Sequence, residues 1–242
     1  MQDRSPRFRR APQNLNCHRI GDRALEIISA LDRFSYLNTA LLLHIVPGNR
    51  KVTQRHLHRL YHLGLISRLS RQGGTTSEFV YFLDNPSALE LFADQKPCDR
   101  TTLHWDRIKR NRQRMQRQQP SSGGHLLFIE HELMISRFHA LVELACLAAP
   151  QLAQLQSWRQ GPEIWSTTNR GNTARMPHRP DAFFTLFFPS APEGKRHSNF
   201  FYEADRNTCP NHGWLGNSLL IVNISILGSF NWITEFEGSA RC

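Results

Sequence analysis

The sequence predicts an α+β chain in two parts, and three observations carry this. Three short amphipathic helical segments are followed by two β-prone runs around a Gly-rich turn. The excess positive charge is confined to the first half. A Pro-Ser-Ser-Gly-Gly run at 120–124 then separates off a second series, a long helix followed by aromatic-rich strands.

Residues 1–19 are basic and Pro-containing and read as a flexible arm. Gly21 to Phe34 reads as a helix, with Leu25, Ile28 and Leu31 on one face and Ile27 and Phe34 flanking it. Asn38 is placed to N-cap a second helix, Thr39 to Val46, which Pro47-Gly48 stops. A third helix runs from about Lys51 to Leu63. Val52, Leu57, Leu60 and Tyr61 form its apolar stripe, and Gly64 ends it. The runs Leu65–Leu69 and Phe79–Leu83 flank a polar turn containing Gly73-Gly74 and read as a hairpin. Pro86 to Ala93 adds a further helical segment. Three short helices and a hairpin over residues 20–95 follow the order of a winged helix-turn-helix, the N-terminal half of the expected fold.

Charge indicates the partner of that half. Residues 1–120 hold 21 Lys and Arg against 10 Asp and Glu, a net +11, so the remaining 122 residues contribute −1 to the total of +10. Such asymmetry suits an acidic polymer, here duplex DNA, although it also suits a solvated basic face. In a helix-turn-helix the second helix of the pair meets the major groove. With Val52, Leu57 and Leu60 inward, Gln54, Arg55, His58 and Arg59 face outward. Gln suits adenine and Arg guanine, while Lys51 and Thr53 suit phosphates. Arg68 and Arg71 at the tip of the hairpin would lie along the adjacent backbone. The segment 96–124 reads as an Arg-rich linker. Its stretch 105–117 is expected as an exposed helix or a disordered basic run that adds sequence-independent phosphate affinity.

Other classes are set aside. The five cysteines, Cys17, Cys98, Cys146, Cys209 and Cys242, are odd in number and form no CxxC pair, which favours reduced, cytoplasmic usage. Cys209 and His212 lack a second ligand pair for zinc. The N-terminus has no secretory apolar core, and the longest apolar stretch, Leu219 to Leu227, is too short to span a bilayer, so no membrane partner is expected.

The second half, residues 125–242, opens with a helix from His131 to Ala149. Strand-like stretches follow at Glu163–Trp165, Asp181–Phe188 and Asn199–Asp205, consistent with an α+β or α/β core. If the last two pair, Asp181 and Glu203 meet at one end of the sheet. Two carboxylates there could hold Mg²⁺ and activate water against a phosphate. Equally, acids at strand ends are often solvated or paired, and Arg179 and Arg206 are at hand.

Two stretches together resemble the replication-relaxation family of bacterial plasmid and mobile-element proteins. One runs from Asp22-Arg23-Ala24-Leu25-Glu26-Ile27-Ile28 to Tyr61-His62-Leu63-Gly64-Leu65-Ile66. The other pairs Arg179-Pro180-Asp181-Ala182-Phe183-Phe184 with Phe200-Phe201-Tyr202-Glu203-Ala204-Asp205-Arg206-Asn207-Thr208. The resemblance covers roughly residues 20–208. It implies a winged helix joined to a region like the PD-(D/E)xK nucleases, with His131–Leu144 as the helix before the sheet. It carries Asp181 and Glu203 into a metal role. The motif's lysine position holds Asp205, as is usual in the family, and no lysine follows Lys195. Asp205 then reads as a third metal ligand or as the mark of a fold that binds without cleaving. The family region should continue with a helix and a strand, whereas Gly213–Cys242 is apolar and nearly free of basic residues. That change reads as a truncation or frameshift that leaves the second domain incomplete. The expected function is duplex DNA binding in plasmid or mobile-element replication or relaxation, alongside replication or relaxosome proteins. Alternatives are an active Mg²⁺-dependent DNA endonuclease and a transcription regulator.

Overall fold

The computed structural model describes residues 20–70, 79–117, 123–161, 163–164, 180–204 and 219–224. Contacts divide the chain into two compact units, residues 1–140 and 141–242.

The first unit is built around α1 (Asp22–Phe34). Ala24, Leu25, Ile27, Ile28, Ala30, Leu31 and Phe34 are all buried, so a wide apolar face of α1 forms the centre of the core while Asp22, Glu26 and Arg33 stay outside. A short strand β1 (Leu37–Asn38) leads into α2 (Thr39–Ile45) and α3 (Arg50–His62). The hairpin strands β2 (Ser67–Ser70) and β3 (Phe79–Phe82) follow, then α4 (Ser87–Gln95). The three strands form one antiparallel sheet in the order β1-β3-β2, with Leu37 opposite Tyr81 and Leu69 opposite Val80.

Local chemistry sets the helix ends. The Asn38 side chain accepts from Leu41 N–H at 2.8 Å, as expected of an N-cap. Asn49 does the same for α3, accepting from Lys51 N–H at 2.9 Å and Val52 N–H at 3.3 Å. Helix α3 ends in a Schellman motif. Gly64, at φ +72°, donates to Tyr61 O at 3.0 Å, and Leu65 donates to Leu60 O at 3.0 Å.

The segment expected as a linker is largely helical: α5 spans Trp105–Arg117. It is no exposed basic rod, because Arg107, Ile108 and Asn111 are buried. The Asn111 amide donates to Leu83 O at 2.9 Å and its carbonyl accepts from the Tyr36 hydroxyl at 2.8 Å. His104, just before α5, meets Asp32 of α1 through its backbone N–H at 3.1 Å and its ring Nδ1 at 3.0 Å. Helix α6 (Gly123–Ala148) contributes Ile129, Ile135, Ser136, His139 and Ala140 to the same unit. The Ser136 hydroxyl donates to Phe34 O, and the His139 ring lies 4.6 Å from the Phe34 ring.

The second unit carries β4 (Gln154–Gln160), β5 (Ala182–Phe187), β6 (His197–Ala204) and β7 (Leu219–Ile224) in an antiparallel sheet of that order. Every pairing is antiparallel, as in an α+β architecture rather than a parallel α/β one. Strand β4 was not expected, because its sequence, Gln-Leu-Gln-Ser-Trp-Arg-Gln, is mostly polar. It is fixed by pairing with β5 and by a ring row in which Trp158 stacks on Phe184 at 5.3 Å and Phe184 on Phe200 at 5.0 Å. Glu163 and Ile164, expected in a strand, are helical, and Trp165 lies outside the described residues.

Candidate nucleic-acid interface

Helix α3 has two chemically distinct faces. Thr53, Leu57 and Leu60, at spacings of four and three, are buried against the core. Lys51, Gln54, Arg55, His58 and Arg59 are exposed. Two expectations need correction. Val52 is not part of the inward stripe but is 41% exposed, and Thr53, expected at phosphates, is 0% exposed. The reason is rotational. Leu57 and Leu60 fix the buried face, and Thr53, four residues before Leu57, falls on it, whereas Val52 lies about 100° around the helix from Thr53.

A residue that the sequence reading did not single out holds this arrangement. Arg23 of α1 donates to Val46 O at 2.7 Å, to Pro47 O at 2.8 Å and to the Thr53 hydroxyl at 3.2 Å. One guanidinium thus ties the end of α2, the turn and the start of α3 to the core helix. The turn must pass close to it. A Cβ on Gly48 would lie 2.7 Å from Arg23 Nη2 and 3.1 Å from Cζ, so a larger residue there would require the guanidinium to shift. The only signal in the sequence was a cation in the first turn of α1, which local reading assigns to solvent. Burial and the charges of Arg23, Arg59 and Arg55 hold His56 below the usual histidine range, so it adds little positive charge at neutral pH.

Arg68 is not at the hairpin tip. It sits on β2 opposite Tyr81, with its guanidinium over the Tyr61 ring at 4.1 Å and the Phe79 ring at 4.3 Å. Arg71 lies outside the described residues. In α5, Arg107 donates to the carbonyls of Asp32 at 2.6 Å and Arg33 at 3.1 Å, closing the end of α1. Arg114 lies 3.8 Å over the Phe128 ring and 3.8 Å from Glu132. These two arginines therefore serve the fold.

In the second unit, the Asp181 N–H donates to Tyr202 O at 3.0 Å and its carboxylate accepts from the Ala204 N–H at 2.8 Å. Asp181 thus lies beside the end of β6 that carries the exposed Glu203. Burial, reinforced by the Asp181 charge, pushes the Tyr202 hydroxyl up to about 12. Asp205 lies outside the described residues. Among the described residues no three His, Cys, Asp or Glu side chains gather as a metal-ligand set, and no helix is long and apolar enough to cross a membrane.

No curated protein and no solved structure matches the chain. One family model does, that of Replication-relaxation, over residues 28–217. That span runs from the middle of α1 through the other helices and the hairpin of the first unit to the Asp181–Glu203 hairpin, and the chain accordingly belongs to the Replication-relaxation family.

Proposed function

We propose that residues 20–95 act as a winged helix-turn-helix that lays α3 in the major groove of duplex DNA, in the service of plasmid or mobile-element replication. The observation that carries this is the two-faced α3. Leu57, Leu60 and Thr53 lock one side to the core, and Lys51, Gln54, Arg55, His58 and Arg59 stand out from the other. The sheet order β1-β3-β2 behind the helices supports the same reading, since a hairpin after the recognition helix supplies the wing. Gln54, Arg55 and His58 are assigned to base edges and Lys51 and Arg59 to phosphates. The test is fluorescence anisotropy of labelled random duplex against the full chain at low and physiological salt. Salt-sensitive binding is expected, and no binding at low salt would overturn the assignment.

The second unit is assigned to DNA contact without cleavage, as a degenerate nuclease-like domain. The Asp181 carboxylate is already engaged by the β6 backbone, and the position of the motif's lysine holds Asp205. The apposition of Asp181 to the end of β6 that carries Glu203 favours one competing reading, a Mg²⁺-dependent endonuclease. Supercoiled plasmid incubated with the protein and Mg²⁺ or Mn²⁺ separates them. Intact plasmid is expected, and nicking that vanishes in Asp181→Ala would establish the enzyme.

A further inference from the structure

The exposed face of α3 carries a second chemistry beside DNA docking. His58 and His62 stand one turn apart, with their ring Nε2 atoms 3.0 Å from each other and their ring centroids 4.2 Å apart. Both rings turn the same nitrogen inward, although imidazoles one turn apart on a helix can rotate away from each other. Two metal–nitrogen bonds of roughly 2.1 Å meeting near a right angle span about 3.0 Å, so the pair already has the spacing of adjacent ligands on one ion.

We propose that His58 and His62 form a bidentate site for a divalent late first-row transition ion, of the Ni²⁺, Cu²⁺ or Zn²⁺ class. Neutral imidazole is the ligand these ions prefer, whereas Mg²⁺ and Ca²⁺ prefer oxygen. The pair as it stands is joined by one shared proton, with one Nε2 donating and the other accepting. Metal entry needs both Nε2 lone pairs, so the ring that donates through Nε2 shifts to its Nδ1–H tautomer and each ring then carries its proton on Nδ1. A neutral pair therefore binds the ion with no net release of protons, and no oxidant or reductant is involved. Water fills the remaining positions, consistent with the absence of a three-residue ligand set among the described residues. Arg55 and Arg59 flank the pair on the exposed surface, where water and salt screen their repulsion. His58 is also assigned to base edges, so an ion held by this pair would compete with DNA for that ring.

The test is calorimetric titration of the full chain with Ni²⁺, in two buffers of different ionisation enthalpy, against His58→Gln, His62→Gln and the exposed control His44→Gln. One site is expected, with no net proton release from the neutral pair. Affinity should fall by on the order of a hundredfold in either α3 variant, because each removes the chelate, and should hold in the control. Equal titrations for the wild type and both α3 variants, or an equal loss in His44→Gln, would overturn the site. The unmodified chain gives an independent reading by NMR. Substoichiometric Ni²⁺ should broaden the His58 and His62 ring protons first, and broadening centred on other histidines would refute the assignment.

Discussion

Two helices of the first unit look interchangeable in composition. Helices α3 and α5 each have 13 residues, and both are rich in arginine. Two cations of α5, Arg107 and Arg114, meet a different fate from those of α3. In α3, Lys51, Arg55 and Arg59 are exposed. In α5, Arg107 is buried and closes the end of α1, and Arg114 lies on Phe128 beside Glu132. The lesson concerns what a positive count means. A guanidinium is equally able to pair with a phosphate or to satisfy the orphan carbonyls of a helix end, and the nearer partner takes it. Sequence charge therefore gives an upper bound on the surface offered to DNA.

Breaking α5 should have the larger cost. Arg107→Ala removes a charge-assisted tie to two carbonyls, that of Asp32 buried and that of Arg33 part-buried. We expect a loss of about 2–4 kcal/mol, read by denaturant unfolding, and Arg107→Lys should recover only part of it. A loss under about 0.5 kcal/mol would mean that Arg107 is as dispensable as a surface cation.

The next effect is one of pH. Burial, reinforced by Arg107, Arg33 and His104, holds the His139 ring down to about 2. The unfolded chain takes up a proton at this residue near pH 6.5, and the folded chain resists it down to about pH 2. Stability is therefore full above pH 6.5 and falls as pH drops through that interval, by at most about 1.4 kcal/mol per pH unit. Thermal unfolding between pH 7 and 5 should show the decline, and His139→Phe should flatten it. An unchanged slope in that variant would place the sensitivity elsewhere.

A smaller loss is expected at the other helix. Arg23→Ala frees the α2–α3 turn and leaves the Thr53 hydroxyl buried without its donor, at a cost of about 1–2 kcal/mol. It should also weaken DNA binding, because α3 loses its anchor. Retained affinity alongside lost stability would show that the turn positions itself without the clamp.

The smallest change in stability belongs to Arg55→Ala with Arg59→Ala, within about 0.5 kcal/mol of the wild type. The same pair should lower DNA affinity markedly and reduce the slope of log affinity against log salt by roughly 2. If Lys109→Ala with Arg112→Ala on α5 did as much, the contrast between the helices would disappear.

Much of the first unit was legible locally. The caps at Asn38 and Gly64 and the two β-prone runs of the hairpin are written within a few residues of where they act. The stripe of α3 was half legible. Leu57 and Leu60 were placed inward, but hydrophobicity favoured Val52 over Thr53, and burial of a hydroxyl becomes favourable only with the Arg23 donor 30 residues away. In the second unit the β5–β6 hairpin could be read from its aromatic runs. Strand β4 could not, because a polar edge of a sheet has no periodicity of its own until a neighbour pairs with it.

What the sequence by itself determined is therefore the set of elements whose signals are short-range: the helix ends, the turn glycines, the first-half charge and the motif that places the chain in its family. Only the tertiary structure decided which cations remain outside, which face of α3 is presented and that α5 belongs to the core. Each of those depends on a hydrogen bond or ring contact between residues far apart in the chain, such as Arg107 with Asp32 at a separation of 75. Local propensity cannot encode such pairs, because their free energy exists only once the chain has brought both partners together and taken them out of water.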